Sequence, residues 1–134
     1  MRRLSVAVLA IALLAISPTP ALAGPADSSV QIRSNAELVL LTTIEVVVVV
    51  SCAPYAFTDS SGNIVVGQGF VFVTVNQAET GGNGGSSQTF PCDGQSHTRA
   101  LFVTPGPWQL GEALAFAQAC GFTCSNTVKY VHIN

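Results

Sequence analysis

The chain of 134 residues reads as all-β: an antiparallel sandwich of about seven short strands carrying two disulfides. Three observations predict it. β-Branched and aromatic residues fall in short runs separated by Gly-, Pro-, Asn- and Ser-rich turns, with no long helical repeat between them. Four cysteines, Cys52, Cys92, Cys120 and Cys124, all lie beyond an apolar leader. Hydrophobic residues make up 49% of the chain and charged residues 9%, so a core can form beneath a surface of Ser, Thr, Asn, Gln and Gly.

Ser28–Arg33 is read as a first short strand after a loose start. Ala36–Cys52 is the strongest segment, and its centre is a run of valines. Valine loses rotamer freedom in a helix and packs well on a pleated sheet. A period of two puts Ile44, Val46, Val48, Val50 and Cys52 on one face, the core face. Pro54 ends the ladder, and Asp59–Asn63 is a turn. Ile64–Gln77 is a second β region that Gly67 and Gly69 interrupt with a bulge or a change of sheet. Within it Phe70, Phe72 and Thr74 alternate with Val71, Val73 and Val75, so both faces are apolar. Burial on both sides is the favoured account; an exposed binding face is the other.

Thr80–Ser87 reads as a flexible glycine loop, Gln88–Cys92 as a short strand, Asp93-Gly94 as a turn, and His97–Thr104 as the returning strand. Pro105–Trp108 is a rigid loop. In Glu112–Cys120, alanine content favours helix while strict alternation favours strand. Strand is preferred because the surroundings are β. Cys120–Cys124 then staples a turn before the last strand, Thr127–Ile133.

Arg2 and Arg3 precede an apolar run, Leu4–Ile16. Ser17, Pro18 and Pro20 break it, and Ala21-Leu22-Ala23 is a small-x-small cleavage site. Residues 1–23 are therefore expected to be a secretory signal peptide. The run falls short of the roughly 20 apolar residues of a spanning helix, no later segment reaches that length, and Gly24 rather than Cys follows the cut. The expectation is a secreted single domain over 24–134, without membrane span or lipid anchor. Cleavage leaves Arg33, Arg99 and Lys129 against seven carboxylates, an acidic balance that excludes nucleic acid as partner.

Four cysteines allow three pairings. Cys52–Cys92 with Cys120–Cys124 is favoured, the first worth roughly 4 kcal/mol and the second roughly 2 kcal/mol in the chain-entropy account. A zinc site using Cys120, Cys124 and a histidine is the competing reading.

No catalytic motif stands out. Asp93, Ser96 and His97 share one turn, but three polar residues in a β-turn rarely converge on an oxyanion hole. An Asp93–His97 pair that braces the turn is expected, and His132 is read as a solvated strand residue. No enzyme activity, cofactor or metal is expected. Tyr55, Phe57 and Trp108 lie in or beside loops, where aromatics anchor a sugar, a peptide or a flat ligand, or plug the end of a small sandwich. Plugging is favoured.

Val50-Ser51-Cys52, then Pro91-Cys92-Asp93-Gly94-Gln95-Ser96-His97, then Gly111 to Ala117 with its alternating alanines, resemble a group of small exported actinobacterial proteins of unassigned activity. That resemblance implies an immunoglobulin-like β-sandwich. A second resemblance is to neocarzinostatin-type apoproteins, which are exported, acidic and of similar length, with a short disulfide-stapled turn near the C-terminus as Cys120–Cys124 would make. It implies an apolar cleft holding a small ligand, although the loop from Cys52 to Cys92 is longer than theirs.

The function expected is therefore non-catalytic binding, or a structural role, at or outside the cell surface. The partner would be an extracellular protein contacted by the loops at Tyr55–Phe57, Gly81–Ser87 and Pro105–Gln109. The alternative is a carrier of a small apolar ligand, with Phe70, Phe72 and Trp108 lining the cleft. A protease inhibitor presenting Phe90–His97 or Pro105–Leu110 is a third class.

Overall fold

The valine run forms the strand that the period of two predicts. In the computed structural model, which describes residues 28–134, Ile44, Val46, Val48, Val50 and Cys52 all point into the core. The expected signal peptide lies outside the described residues. Nine strands follow in order: β1 (Ser28–Leu40), β2 (Thr43–Cys52), β3 (Ala56–Thr58), β4 (Ile64–Val66), β5 (Gln68–Gln77), β6 (Gly82–Pro91), β7 (His97–Gly106), β8 (Gly111–Cys120) and β9 (Cys124–Ile133). Glu112–Cys120 is thus strand: Ala113, Ala115, Ala117 and Ala119 are buried and their alternates face outward. The sheet neighbours on both sides, β5 and β9, override alanine's helical preference.

Seven strands close into a barrel in the order β1-β2-β7-β6-β5-β8-β9, and β3 pairs only with β4. The fold is all-β with two disulfides as expected, and its main sheet closes on itself as a seven-strand barrel. The closure is uneven. β5 pairs with β6 along its whole length, from Gln68↔Pro91 to Gln77↔Gly82, and β8 pairs with β9 from Gly111↔Ile133 to Cys120↔Cys124. By contrast β6 meets β7 only at Asn83↔Gly106, Gly84↔Pro105 and Gly85↔Thr104. β1 meets β9, in parallel, only at Asn35↔His132 and Ala36↔Ile133. The second seam exists because β1 shifts register against β2 between Ile32 and Ala36. The bulge swings the strand far enough to reach β9.

Two further expectations are corrected. Ala36–Cys52 is not one strand: it folds back at Leu41 and Thr42 into the β1–β2 hairpin. The turn contains neither Gly nor Pro, so composition did not mark it. Of Thr80–Ser87 only Thr80-Gly81 is turn; Gly82, Gly84 and Gly85 lie within β6, and the first seam demands the first two. A Cβ on Gly84 would strike the Thr104 carbonyl, and one on Gly82 would strike that of Pro107. Pro105-Gly106, read as loop, belongs to β7 on the other side of that seam.

The interruption at Gly67 is the predicted change of sheet: β4 ends at Val66 and β5 joins the barrel at Gln68. Both favoured disulfides form, Cys52–Cys92 and Cys120–Cys124, with sequence separations of 40 and 4. The pairing removes Cys120 and Cys124 as thiolate ligands, which overturns the zinc reading. The two bonds adjoin, since Gly121 sits against the Cys52–Cys92 sulfurs with no room for a larger residue. Gly121 N also donates to Ser28 Oγ at 3.0 Å, tying the start of β1 to the stapled turn. Two disulfides are compatible with an oxidising, extracellular location. Among the described residues no helix is long and apolar enough to cross a membrane.

Candidate functional site

The five aromatics singled out from sequence separate in space. Trp108 is in the core, 2% exposed, against Gly82 and Gly106. The crossing that carries it is pinned by buried Gln77, whose Nε2 donates to Gln109 O at 2.8 Å and whose Oε1 accepts from Gln109 N at 3.0 Å. Nothing in the sequence marked Gln77, since a glutamine at a strand end looks like surface. Trp108 is therefore a plug, as favoured. It does not line a cleft with Phe70 and Phe72, for Gly82 pairs with Gln77, seven residues or about 23 Å along β5 from Phe70.

Tyr55 is a half-buried plug at the opposite end. Its ring fills the space beside Gly67, and its hydroxyl donates to Gln68 O at 2.9 Å. Phe57 stands exposed on β3, 6.4 Å from Tyr55 between ring centroids, and exposed Phe122 lies 6.1 Å from Tyr55 on the other side. Of the three expected contact loops, only that at Tyr55–Phe57 projects as pictured. Gly82–Ser87 and Pro105–Gly106 are strand, and Trp108 is buried. In the two inhibitor stretches Phe90, Cys92 and Trp108 are buried, while Pro91, Asp93 to Ser96, Pro105, Pro107, Gln109 and Leu110 are exposed.

Phe70 and Phe72 correct the favoured account of their strand. Val71, Val73 and Val75 take the core, and the phenylalanines turn outward, Phe70 to 44% exposure. Register then assembles a surface that the one-dimensional pattern could not show. Across β5, β8 and β9 the outward rows read Asn76–Leu114–Tyr130, Thr74–Phe116–Val128, Phe72–Gln118–Asn126 and Phe70–Cys120–Cys124. Leu114, Phe116, Val128 and Tyr130 thus join Phe70 and Phe72 in a diagonal apolar stripe. Its rings lie in contact, Phe70–Phe72 at 6.3 Å and Phe72–Phe116 at 5.8 Å. Val128 is 60% and Tyr130 67% exposed. Phe116 and Tyr130 were legible only as outward positions of their strands, and their meeting with Phe72 depends on the β5–β8–β9 order.

A hollow of about 290 Å³ lies at the Tyr130 end of the stripe, lined by Asn76, Ala78, Glu79, Glu112, Leu114 and Tyr130, with Ala113 at its floor. A larger one, about 680 Å³, opens at the β1 bulge between Gln31 and Asn35, where Lys129 Nζ donates to Ile32 O at 3.1 Å.

The Asp93 turn has the expected bracing geometry. Asp93 Oδ1 accepts from Gln95 N at 2.9 Å and lies 2.8 Å from His97 Nε2. The hydrogen bond with His97, helped by that from Gln95, holds the Asp93 carboxyl below the usual carboxylate range. His132 is exposed on β9, opposite Glu112.

Compared with protein-family models and with curated proteins, the chain matches none.

Proposed function

We propose that this is a secreted, non-catalytic binding module whose recognition surface is the outer side of β5, β8 and β9. The observation that carries the reading is the stripe from Phe70 to Tyr130. Its side chains face away from a core that is already complete beneath them. Folding accounts for the inward valines and alanines through burial of apolar area. It gives little further return for the outward row, where Phe70, Leu114, Val128 and Tyr130 are exposed beside the half-buried Phe72 and Phe116, and a contiguous patch of that kind marks an interaction site.

Export is supported by the layout of residues 1–23 and by the two disulfides. An immunoglobulin-like sandwich is supported by the uneven pairing. Without the short seams β6–β7 and β1–β9, the barrel divides into β1-β2-β7 and β6-β5-β8-β9, two layers linked by the β2-to-β5, β6-to-β7 and β7-to-β8 crossings. That arrangement agrees with the resemblance to the small exported actinobacterial proteins. Absence of catalysis is supported by the Asp93 turn, where His97 is engaged by the carboxylate on an exposed loop.

A test is partition of the secreted protein between culture medium and cell envelope of its host. Retention of the wild type on the envelope, and release of Phe72→Ala/Phe116→Ala, are expected. Equal partition of the two overturns the reading. The second reading, a small-ligand carrier like the neocarzinostatin-type apoproteins, is favoured by the hollow beside Leu114 and Tyr130. Its volume is at the lower limit of about 300 Å³ for such sites. A small-molecule mass on the protein in native mass spectrometry, taken directly from medium, would support it.

A further inference from the structure

The side chains between the aromatics carry information about the ligand. On the outer side of β6, β5, β8 and β9, every position that is neither apolar nor glycine, from the Asn83 row to the Cys120–Cys124 row, is an amide or a hydroxyl. These are Thr74, Asn76, Asn83, Ser87, Thr89, Gln118 and Asn126. No carboxylate, ammonium or guanidinium projects from these rows; beyond the Asn76–Leu114–Tyr130 end, Glu79 and Glu112 line the hollow, and Glu112 faces His132 one row on.

A second observation concerns their hydrogen bonds. Elsewhere some polar side chains are committed, Ser28 to Thr123, Ser29 to Ser51, Gln77 to Gln109, Thr80 to Pro107 and Gln88 to Ala100, and others, such as Gln31, Thr98 and Thr127, are not. Among the described residues, none of the side chains of Thr74, Asn76, Ser87, Thr89, Gln118 and Asn126 makes such a bond. The face therefore combines exposed rings with donors and acceptors that are free.

We propose, building on the binding surface assigned above, that this face takes a neutral, hydroxyl-rich chain: a segment of uncharged polysaccharide. A ligand bearing charge would find no counter-charge in the four rows. A purely apolar molecule would bury Gln118, Asn126 and Thr74 without hydrogen-bond partners, which is costly. A sugar ring satisfies both halves of the surface at once. Its C–H face lies on the electron-rich ring faces of Phe72, Phe116 and Tyr130, while its hydroxyls reach the amides between them. The strip is open at both ends and runs about 20 Å along β5 from Phe70 to Asn76. A chain therefore fits it better than a single ring.

Affinity electrophoresis of the oxidised protein, in gels containing hydroxyethylcellulose, galactomannan, mixed-linkage glucan or polygalacturonate, tests the assignment. Retardation by at least one neutral polymer and none by polygalacturonate is expected. The affinity should fall at least tenfold in Phe72→Ala/Phe116→Ala and several-fold in Gln118→Ala, a single change at a half-buried outward position that leaves the apolar stripe intact. Absence of retardation by all three neutral polymers overturns the proposal, as does retardation that Gln118→Ala and the double variant leave unchanged. An apolar fluorescent probe, anilinonaphthalene sulfonate, separates the two levels. Probe binding that the double variant abolishes, without polysaccharide binding, keeps the surface and removes the sugar. Absence of both removes the surface as well. A dimer in sedimentation that the double variant dissociates would assign the face to a second copy and overturn the proposal.

Discussion

The outer sides of two arcs of the barrel, β1-β2-β7 and β5-β8-β9, obey the same alternation and differ in content. On β1-β2-β7 the outward rows pair Ser29 with Ser51, Gln31 with Val49 and Glu37 with Glu45, and the exposed ring of Phe102 stands opposite Glu45. That face carries one bonded hydroxyl pair, the half-buried Val47, Val49 and Ala100, and carboxylates around one aromatic. On β5-β8-β9 the rings touch one another and the amides between them are free. Burial dictates the inner side of both arcs but says nothing about the outer side. A difference between the two outer sides is therefore information about function, whereas a similarity between the inner sides is information about folding.

Changes that separate the arcs should have the largest effect on this comparison. Cys52–Cys92 joins the end of β2 to the chain just after β6, and so couples the first arc to the strand that pairs with β5 of the second. Cys52→Ala/Cys92→Ala should lose about 4 kcal/mol of stability, read as a large drop in thermal midpoint by circular dichroism, with both faces losing order together. Gly84→Val drives a side chain into the Thr104 carbonyl at the β6–β7 seam. It should cost about 1–3 kcal/mol in urea unfolding. A Gly84→Val protein as stable as wild type would mean that the seam is not closed.

Smaller effects sharpen the contrast. Phe72→Ala/Phe116→Ala should cost only about 1 kcal/mol, because it removes an exposed ring contact and no core atom, while abolishing retention on the ligand. Phe102→Ala, on the other face, should change neither stability nor binding measurably, and loss of binding there would erase the distinction between the faces. Asp93→Asn should give the smallest change. The Asp93 pKa is lowered in the folded chain, so ionised Asp93 adds its stability above the ordinary carboxylate pKa. That contribution is lost as pH falls through the lowered value. The gap in thermal midpoint between wild type and Asp93→Asn should therefore be present at neutral pH and close in acid.

Much of this was legible in the residues. The alternation of Ile44 to Cys52 named the inner face of β2, and the alanines of Glu112–Cys120 named that of β8. Both disulfides were readable from spacing, and the Asp93 turn from its side-chain chemistry. The β1–β2 hairpin was not, because Leu41-Thr42 carries no turn residue. Nor was the β6 strand, because glycines that permit close approach look the same in sequence as glycines that permit flexibility.

By itself the sequence determined local matters: the inward face of β2, the inward alanines of β8 and the braced Asp93 turn. Those follow from sterics and hydrophobic period within a few residues. Tertiary structure alone decided which strands became neighbours. It closed the sheet through two short seams, put Trp108 inside on the hydrogen bonds of Gln77, and set Phe70 and Phe72 of β5 beside Phe116 of β8. Adjacency between strands dozens of residues apart depends on how the whole core packs, and no local preference encodes it.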